Sequence, residues 1–534
     1  MVNKSKLFSV ALALGLVLAS SSYAQEENDN GISQTTSDKI EKPTNLKFKE
    51  EWPSIAQHQT PEWFRDAKFG IYTHLGPAVV ATQHKTTEWW GWVMYSKKAR
   101  YWTNAVRPDS PEVQYDFIRH QEIFGDQNEF GYKELIQEFN PDKFDAKEWA
   151  DLFEAAGAKF FGPMGVHHDN FFLWDSDITR WDIQDLRGFD LAGELEKEVR
   201  SRDLKFVMTF HHAFSWWFFT HSYDYDGSNP EYQDLYNKPH KFSEDNNSFD
   251  QYPDQEYEER WNALLQEAAQ KYNPDLFWFD MGLELLSEDI RQKAFAGILN
   301  NAEKNNQEIG ISYKIKYSVC IPPSAGILDF EKGRSQNARE DVWLTDTPLG
   351  GWFYNTKPSR SSKAIIEMLV DIVSKNGNLL LDVSPKPDGT IPEDQKETLL
   401  GIGEWLDMNG EAIYNTRPWV IAGEGPTELA SDGHFNENWE SIYTNEDIRF
   451  TRSKDNNTLY ITVLNKPEGK VNVTKLATIY PYLKRDITSV ELIGSPDLKI
   501  KWKRNKKGLS LSFPEGANGN HAWSYKVTLA PESK

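Results

Sequence analysis

Residues Lys159–Asp169 read KFFGPMGVHHD, an apolar run that passes directly into two histidines and an aspartate. The run is strand-length, with one amphipathic stretch before it (Ala146–Ala156) and another after it (Leu191–Arg202). A short apolar segment between two helical patterns is the mark of a buried strand with crossover helices. The cycle repeats in both directions. Lys68–His74 (KFGIYTH) reads as a strand upstream; Leu204–His211 (strand), Tyr257–Tyr272 (helix) and Asp275–Asp280 (strand) follow downstream. This alternation, from about 50 to 415, predicts an α/β fold with parallel strands, a (β/α)8-like barrel. Several strands end in polar residues: His74, His167-His168-Asp169, His211-His212 and Asp280. Barrel enzymes build their sites on the C-terminal ends of the strands, so this series predicts a site there.

The pattern changes after Trp419. Leu459–Leu464, Ser489–Leu492, Leu509–Ser512 and Ser524–Leu529 alternate apolar and polar residues, with turn residues but no amphipathic helix between them. That predicts an antiparallel β-sandwich. At the other end, Lys4 and Lys6, the apolar stretch Leu7–Leu18 and Ser22-Tyr23-Ala24 have the layout of a signal peptide. The apolar stretch is shorter than the ~20 residues a membrane span requires. No second spanning segment follows. The expected division is a signal peptide over 1–24, a polar linker over 25–45, a barrel domain over 46–419 and a sandwich domain over 420–534. The expected location is periplasmic or extracellular. Cys320 is the only cysteine, so the exported chain would fold without an internal disulfide.

Composition narrows the partners. The 534 residues carry a net charge of -22 with no basic run, which excludes nucleic acid and disfavours anionic membranes. The 20 Trp, 22 Tyr and 30 Phe exceed what a core needs. Surplus rings suit concave sites that bind sugar faces, and Trp89, Trp90, Trp92, Trp174, Trp216 and Trp217 are the candidate walls. His167 and His168 make a poor metal site, because adjacent residues on an extended strand point to opposite sides. No HExxH or cysteine cluster supplies one either. Neither a metal nor a cofactor is expected. Asp280, after Trp278-Phe279, is a carboxylate at the mouth of a strand, able to act as nucleophile, base or ligand. Glycosidases need two carboxylates, and 81 acidic residues do not reveal the pair. The residues alone lead to an exported barrel enzyme acting on sugar.

Several segments, in order, resemble glycoside hydrolase family 29, the retaining α-L-fucosidases. They are Lys68–Pro77, Glu88-Trp89-Trp90-Gly91, Gly165–Phe171, Leu276–Asp280, Asn376–Val383, Asp388–Ile391 and Asn409–Trp419. The resemblance extends over about 50 to 530. It implies a barrel followed by a β-sandwich, and an exo-acting hydrolase of terminal α-L-fucosyl residues by double displacement. It implies Asp280 as nucleophile, with His74, Glu88, Trp89, His167 and His168 holding the sugar. Glu411 and Arg417 are expected to stabilise the closing helix and loop. The family's proton donor lies on a variable loop after the nucleophile strand. Here Glu331 is the first candidate and Glu340 the second, because Leu344 stands where many relatives carry a glutamate. Leu75, Asn170 and His211-His212 also depart from the pattern, and bear on the sugar more than on the reaction. An α-L-galactosidase of the same mechanism, or an enzyme accepting sulfated fucose from algal polysaccharide, is the alternative within the class. A non-catalytic carbohydrate-binding protein is the alternative outside it, and the acid at 280 argues against that.

Overall fold

The apolar runs of the first four hundred residues close into one barrel. The computed structural model describes residues 46–96, 111–240, 252–315, 319–429 and 432–532, so the expected signal peptide and linker lie outside it. Its barrel strands are β1 (Phe69–Thr73), β2 (Phe160–Val166), β3 (Lys205–Phe210), β4 (Leu276–Phe279), β5 (Gly310–Lys314), β6 (Ile327–Asp329), β7 (Trp343–Pro348) and β8 (Gly377–Val383). Each pairs in parallel with the next, and β8 pairs back onto β1. Strands covered on both faces read as continuous apolar runs rather than alternating ones. Accordingly β2 is buried at every position. The barrel interior is filled by Tyr72, Phe160, Val207, Leu276, Trp278, Ile327, Leu344 and Leu380. Gly70 makes this layer possible: a Cβ there would lie 2.2 Å from the ring of Phe160.

Helices Ala146–Ala155, Leu191–Ser201, Gln255–Tyr272, Glu288–Lys304 and Ser362–Ser374 cover the strands. Asp145, Asp190, Asp254, Ser287 and Ser361 start them, each accepting a backbone N–H in the first turn. Such caps contribute about 1 kcal/mol apiece. Among the described residues no helix is long and apolar enough to cross a membrane.

The C-terminal strands are β9 (Thr416–Glu424), β10 (Ile448–Ser453), β11 (Thr458–Leu464), β12 (Lys470–Val473), β13 (Ile487–Leu492), β14 (Trp502–Asn505), β15 (Gly508–Ser512) and β16 (Ala522–Leu529). They form an antiparallel five-stranded sheet, β13-β16-β11-β10-β9, and a three-stranded sheet, β12-β15-β14. Phe450, Ile461 and Val527 of the larger sheet share a core with Val471, Leu509 and Leu511 of the smaller. β9 runs across the sequence-drawn division at 419.

A buried ion cluster ties the two layers. Asp371, on the helix after β7, accepts from Lys375 at 2.7 Å and from Arg449 of β10 at 2.5 Å. Glu411 accepts from Tyr460 at 2.9 Å and Lys526 at 2.6 Å. Arg417 donates to Asp66 at 2.9 Å and also bonds Glu62. Both residues therefore anchor the end of the barrel.

Candidate active site

A cavity of about 260 Å³ opens at the C-terminal ends of the barrel strands. It falls just below the usual range for ligand sites, about 300 to 1,000 Å³, so it suits one sugar ring rather than several. Tyr72 and Trp278, part of the barrel's interior layer, form its floor. Each wall comes from a strand end. His74 follows β1, His167 and His168 follow β2, His211 follows β3 and Asp280 follows β4. Lys314 ends β5, Glu331 lies just beyond β6 and Asp346 is in β7. Glu88 and Trp89 come from the loop after β1, and Trp352 from the loop after β7.

One ammonium organises the acids. Lys314 Nζ lies 3.1 Å from Asp280 Oδ1, 3.1 Å from Glu331 Oε2, 3.3 Å from Asp346 Oδ2 and 4.0 Å from Asp329 Oδ2. It also sits 4.6 Å over the ring of Trp278. Burial would deprotonate this amine, but the surrounding carboxylates, Asp280 first, hold its pKa well above the usual lysine value. Tyr72 donates to Asp346 at 3.1 Å, and Trp278 Nε1 donates to Asp329 at 3.2 Å.

The acids around this one cation titrate far apart. Burial alone would raise the Asp280 carboxyl, but the Lys314 charge and a hydrogen bond from His168 more than offset it, leaving Asp280 well below the usual carboxylate range. Glu331 goes the other way: burial, with Asp346 and Asp280 nearby, outweighs Lys314 and pushes it up to about 7. Burial and the neighbouring Asp346 raise Asp329 well above its ordinary value too. Two carboxyl groups whose surroundings separate their pKa values can serve as an ionised nucleophile and a protonated acid at one pH.

Three of the buried imidazoles, His74, His167 and His211, are neutral. Burial lowers His74, His167 and His211 well below 6.5. His74 Nδ1 pairs with Asp382 at 2.9 Å, and His211 Nδ1 donates to the Val166 carbonyl at 3.1 Å. His168 Nδ1 donates to the His211 carbonyl at 2.7 Å, which turns its Nε2 toward Asp280 Oδ2 at 3.3 Å. The neutral rings of His74, His167 and His211 offer lone pairs and N–H groups rather than charge, which suits hydroxyls. Ring nitrogens of His74, His167 and His211 also lie within 4.8 Å of one another, the group among the described residues with a geometry able to hold a cation.

The structure gathers Asp280, Glu331, His74, Glu88, Trp89, His167 and His168 around this one cavity. Glu340 lies elsewhere, ahead of β7 and so at the opposite end of the barrel, where its carbonyl accepts from Asn376 at 3.0 Å. His167 and His168 both reach the cavity, although strand alternation would separate them. The reason is that β2 ends at Val166 and the chain turns at these residues. Of the six expected tryptophan walls only Trp89 lines the cavity, with Trp278 and Trp352 completing it; Trp90, Trp92, Trp174, Trp216 and Trp217 are buried in the core. His212 turns away from His211 and packs on Trp261, with ring centroids 5.7 Å apart. Lys314 was missed by the sequence reading, yet it carried the same signal as the others, a polar residue ending an apolar run (GISYK). Phe435, on the cavity's rim, had no such signal.

Comparison with known proteins agrees with this architecture. The profile described as alpha-L-fucosidase matches residues 35–411, and that of the alpha-L-fucosidase C-terminal domain matches 442–528. The tissue alpha-L-fucosidase of Rattus norvegicus is 26% identical over 540 residues, covering 98% of each chain. That of Homo sapiens is 28% identical over 498 residues, covering 90% of this chain and 92% of its own. The crystal structure of Thermotoga maritima alpha-fucosidase superposes with a TM-score of 0.69 at 26% identity, covering 90% of this chain and all of that one. A profile that spans well over half the sequence, followed by the matching C-terminal profile on the antiparallel sheets, places this chain in the α-L-fucosidase family of glycoside hydrolases.

Proposed function

We propose that the protein is an exo-acting, retaining α-L-fucosidase, with Asp280 as nucleophile and Glu331 as acid/base. The observation that carries this reading is the shared ammonium. Asp280 and Glu331 each contact Lys314 at 3.1 Å, so their nearest oxygens are no further apart than twice that distance. Inverting pairs stand ~6.5–9.5 Å apart to admit a water, whereas retaining pairs stand ~5–5.5 Å apart. The low pKa of Asp280 and the raised pKa of Glu331 supply the two roles. Asp280 attacks the anomeric carbon while Glu331 protonates the departing oxygen. A covalent glycosyl-enzyme results, and Glu331, now ionised, draws a proton from the water that releases it.

Exo-action is supported by the cavity's floor of Tyr72 and Trp278, which leaves room for a terminal ring only. His74, His167, His168, Glu88 and Trp89 hold that ring. The Lys4–Ala24 segment supports export to the periplasm or beyond. The test is hydrolysis of aryl α-L-fucoside and aryl α-L-galactoside side by side, with the first-formed anomer read by NMR. Faster cleavage of the fucoside with initial release of α-L-fucose supports the reading. Preference for the galactoside changes the sugar, and initial release of the β-anomer overturns the mechanism.

A further inference from the structure

Between β9 and β10 the chain leaves the antiparallel sheet and returns to the mouth of the barrel. Residues 432–441 lie there as a strap, in the interval that neither family profile covers. Both ends of the strap are fastened. At one, Phe435 N–H donates to the Glu331 carbonyl at 2.8 Å, and the amides of Asn436 and Glu437 donate to the Lys332 carbonyl at 3.1 and 3.0 Å. In return, Glu331 N–H donates to His434 Nδ1 at 3.0 Å. Contact is close enough that a Cβ on Gly333 would lie 2.3 Å from the Gly433 carbonyl oxygen. At the other end, the Glu437 carboxylate accepts from Thr347 at 2.8 Å and from the buried Arg360 at 3.2 Å. Arg360 also donates to the carbonyls of Asn438 and Trp439 at 2.9 and 3.2 Å.

Within the first fastening Phe435 stands on the rim of the cavity with 66% of its surface exposed. Its φ is 54°, a left-handed conformation that costs a bulky residue energy. Lys332, directly across the junction, is also left-handed at 46°. Strain of this kind persists only where the surroundings impose it, and it concentrates at functional sites. An apolar ring left mostly in water, on a strained and doubly anchored backbone beside the proton donor, gains little from packing: its ring neighbour is the adjacent His434, with centroids 6.4 Å apart. What occupies the space outside a pocket that closes over one sugar is the group being released.

We propose that residues 432–441 build the leaving-group subsite, with Phe435 as the platform on which the apolar C–H face of the departing sugar stacks. The strap also positions Glu331 from behind through the His434 contact. This rests on the glycosidase reading above, and it names the leaving group that the site is built for: a pyranose rather than a bare alcohol.

The experiment compares two substrates on the full chain. α-L-Fucosyl fluoride has no sugar to stack, while α-L-fucosyl-(1→2)-D-galactose does. In Phe435→Ala the ratio of kcat/KM for disaccharide to that for fluoride is expected to fall tenfold or more, and Phe435→Trp to restore it. Phe435→Gly separates function from folding, since glycine relieves the left-handed strain. Its Tm should equal or exceed that of the wild type while its substrate ratio falls as in Phe435→Ala. An unchanged ratio in both variants overturns the subsite. A ratio that falls only together with Tm assigns Phe435 to structure and overturns it as well. Wild-type hydrolysis of the fluoride shows that the glycosidase reading stands in either case; failure on both substrates removes that reading and the subsite with it.

Discussion

Two buried lysines in this molecule face opposite charge balances. At the junction of barrel and sheet, Asp371 is met by two cations, Lys375 and Arg449. At the mouth of the barrel, Lys314 alone faces Asp280, Glu331, Asp346 and Asp329. In the first, burial would raise the carboxyl, but the two cations overcome it and hold Asp371 at about 2. In the second, one cation cannot satisfy every acid. Asp280, the acid it serves best, stays ionised, while Glu331 and Asp329 are driven to keep their protons. An over-supplied carboxylate fastens a fold, whereas an under-supplied set holds a proton ready to give away.

The largest effect should come from the ionised member of the under-supplied set. Asp280→Gly is expected to lower kcat by about 10⁴-fold or more with the fold intact, as removal of a nucleophile does. Azide should restore turnover and give the β-L-fucosyl azide. Near wild-type rates in this variant would end the assignment. The protonated member should behave differently. Glu331→Ala is expected to cost ~10²–10⁴-fold on a disaccharide, whose alkoxide needs a proton to leave, and far less on a fucoside of an acidic phenol. Azide with that activated substrate should give the α-azide. Equal losses on both substrates would show that Glu331 is not the donor.

At the junction the expected loss is stability instead. Asp371→Ala strands two buried cations and should cost about 3–5 kcal/mol in urea unfolding, leaving kcat of the folded enzyme unchanged. A loss of kcat without loss of stability would erase the distinction between the two regions.

The smallest effects sharpen the contrast through pH. Asp371 has its pKa lowered by folding, so its stabilisation is present above pH 4 and lost as pH falls toward 2. The advantage of the wild type over Asp371→Asn should therefore shrink by roughly 2 kcal/mol across that window. Glu331 has its pKa raised by folding, from 4.5 to about 7, so it costs stability as pH rises through that interval. Glu331→Gln should accordingly be more stable than the wild type at pH 8, by roughly 3 kcal/mol at most, while being inactive on the disaccharide. Denaturation curves at pH 2.5, 4.5 and 8 measure both. Parallel pH dependence in the two variants would contradict the opposite charge balances.

The barrel was legible because its strands are buried on both sides, which turns them into apolar runs that local reading detects. β2, β3 and β4 fall within a residue or two of the expected segments. The polar residues that end those runs were equally legible, since a barrel collects all its strand C-termini on one face. That single topological fact implies that His74, His167, His168 and Asp280 share one face of the barrel. Lys314 belongs to the same class and was readable in principle. The choice between Glu331 and Glu340 was not readable, because both lie in a loop-rich stretch of similar composition. Only the positions of β6 and β7 put them at opposite ends of the barrel.

What the sequence by itself determined is therefore the order of elements, the face that carries the chemistry and the family. These follow from periodicity and short-range patterning, which are local properties. The tertiary structure alone decided the charge balance around Lys314, the separation of the Asp280 and Glu331 pKa values, and the arrival of Phe435 at the rim from about a hundred residues beyond Glu331. Electrostatic fields and burial depend on distances between residues remote in the chain, and no local pattern encodes them.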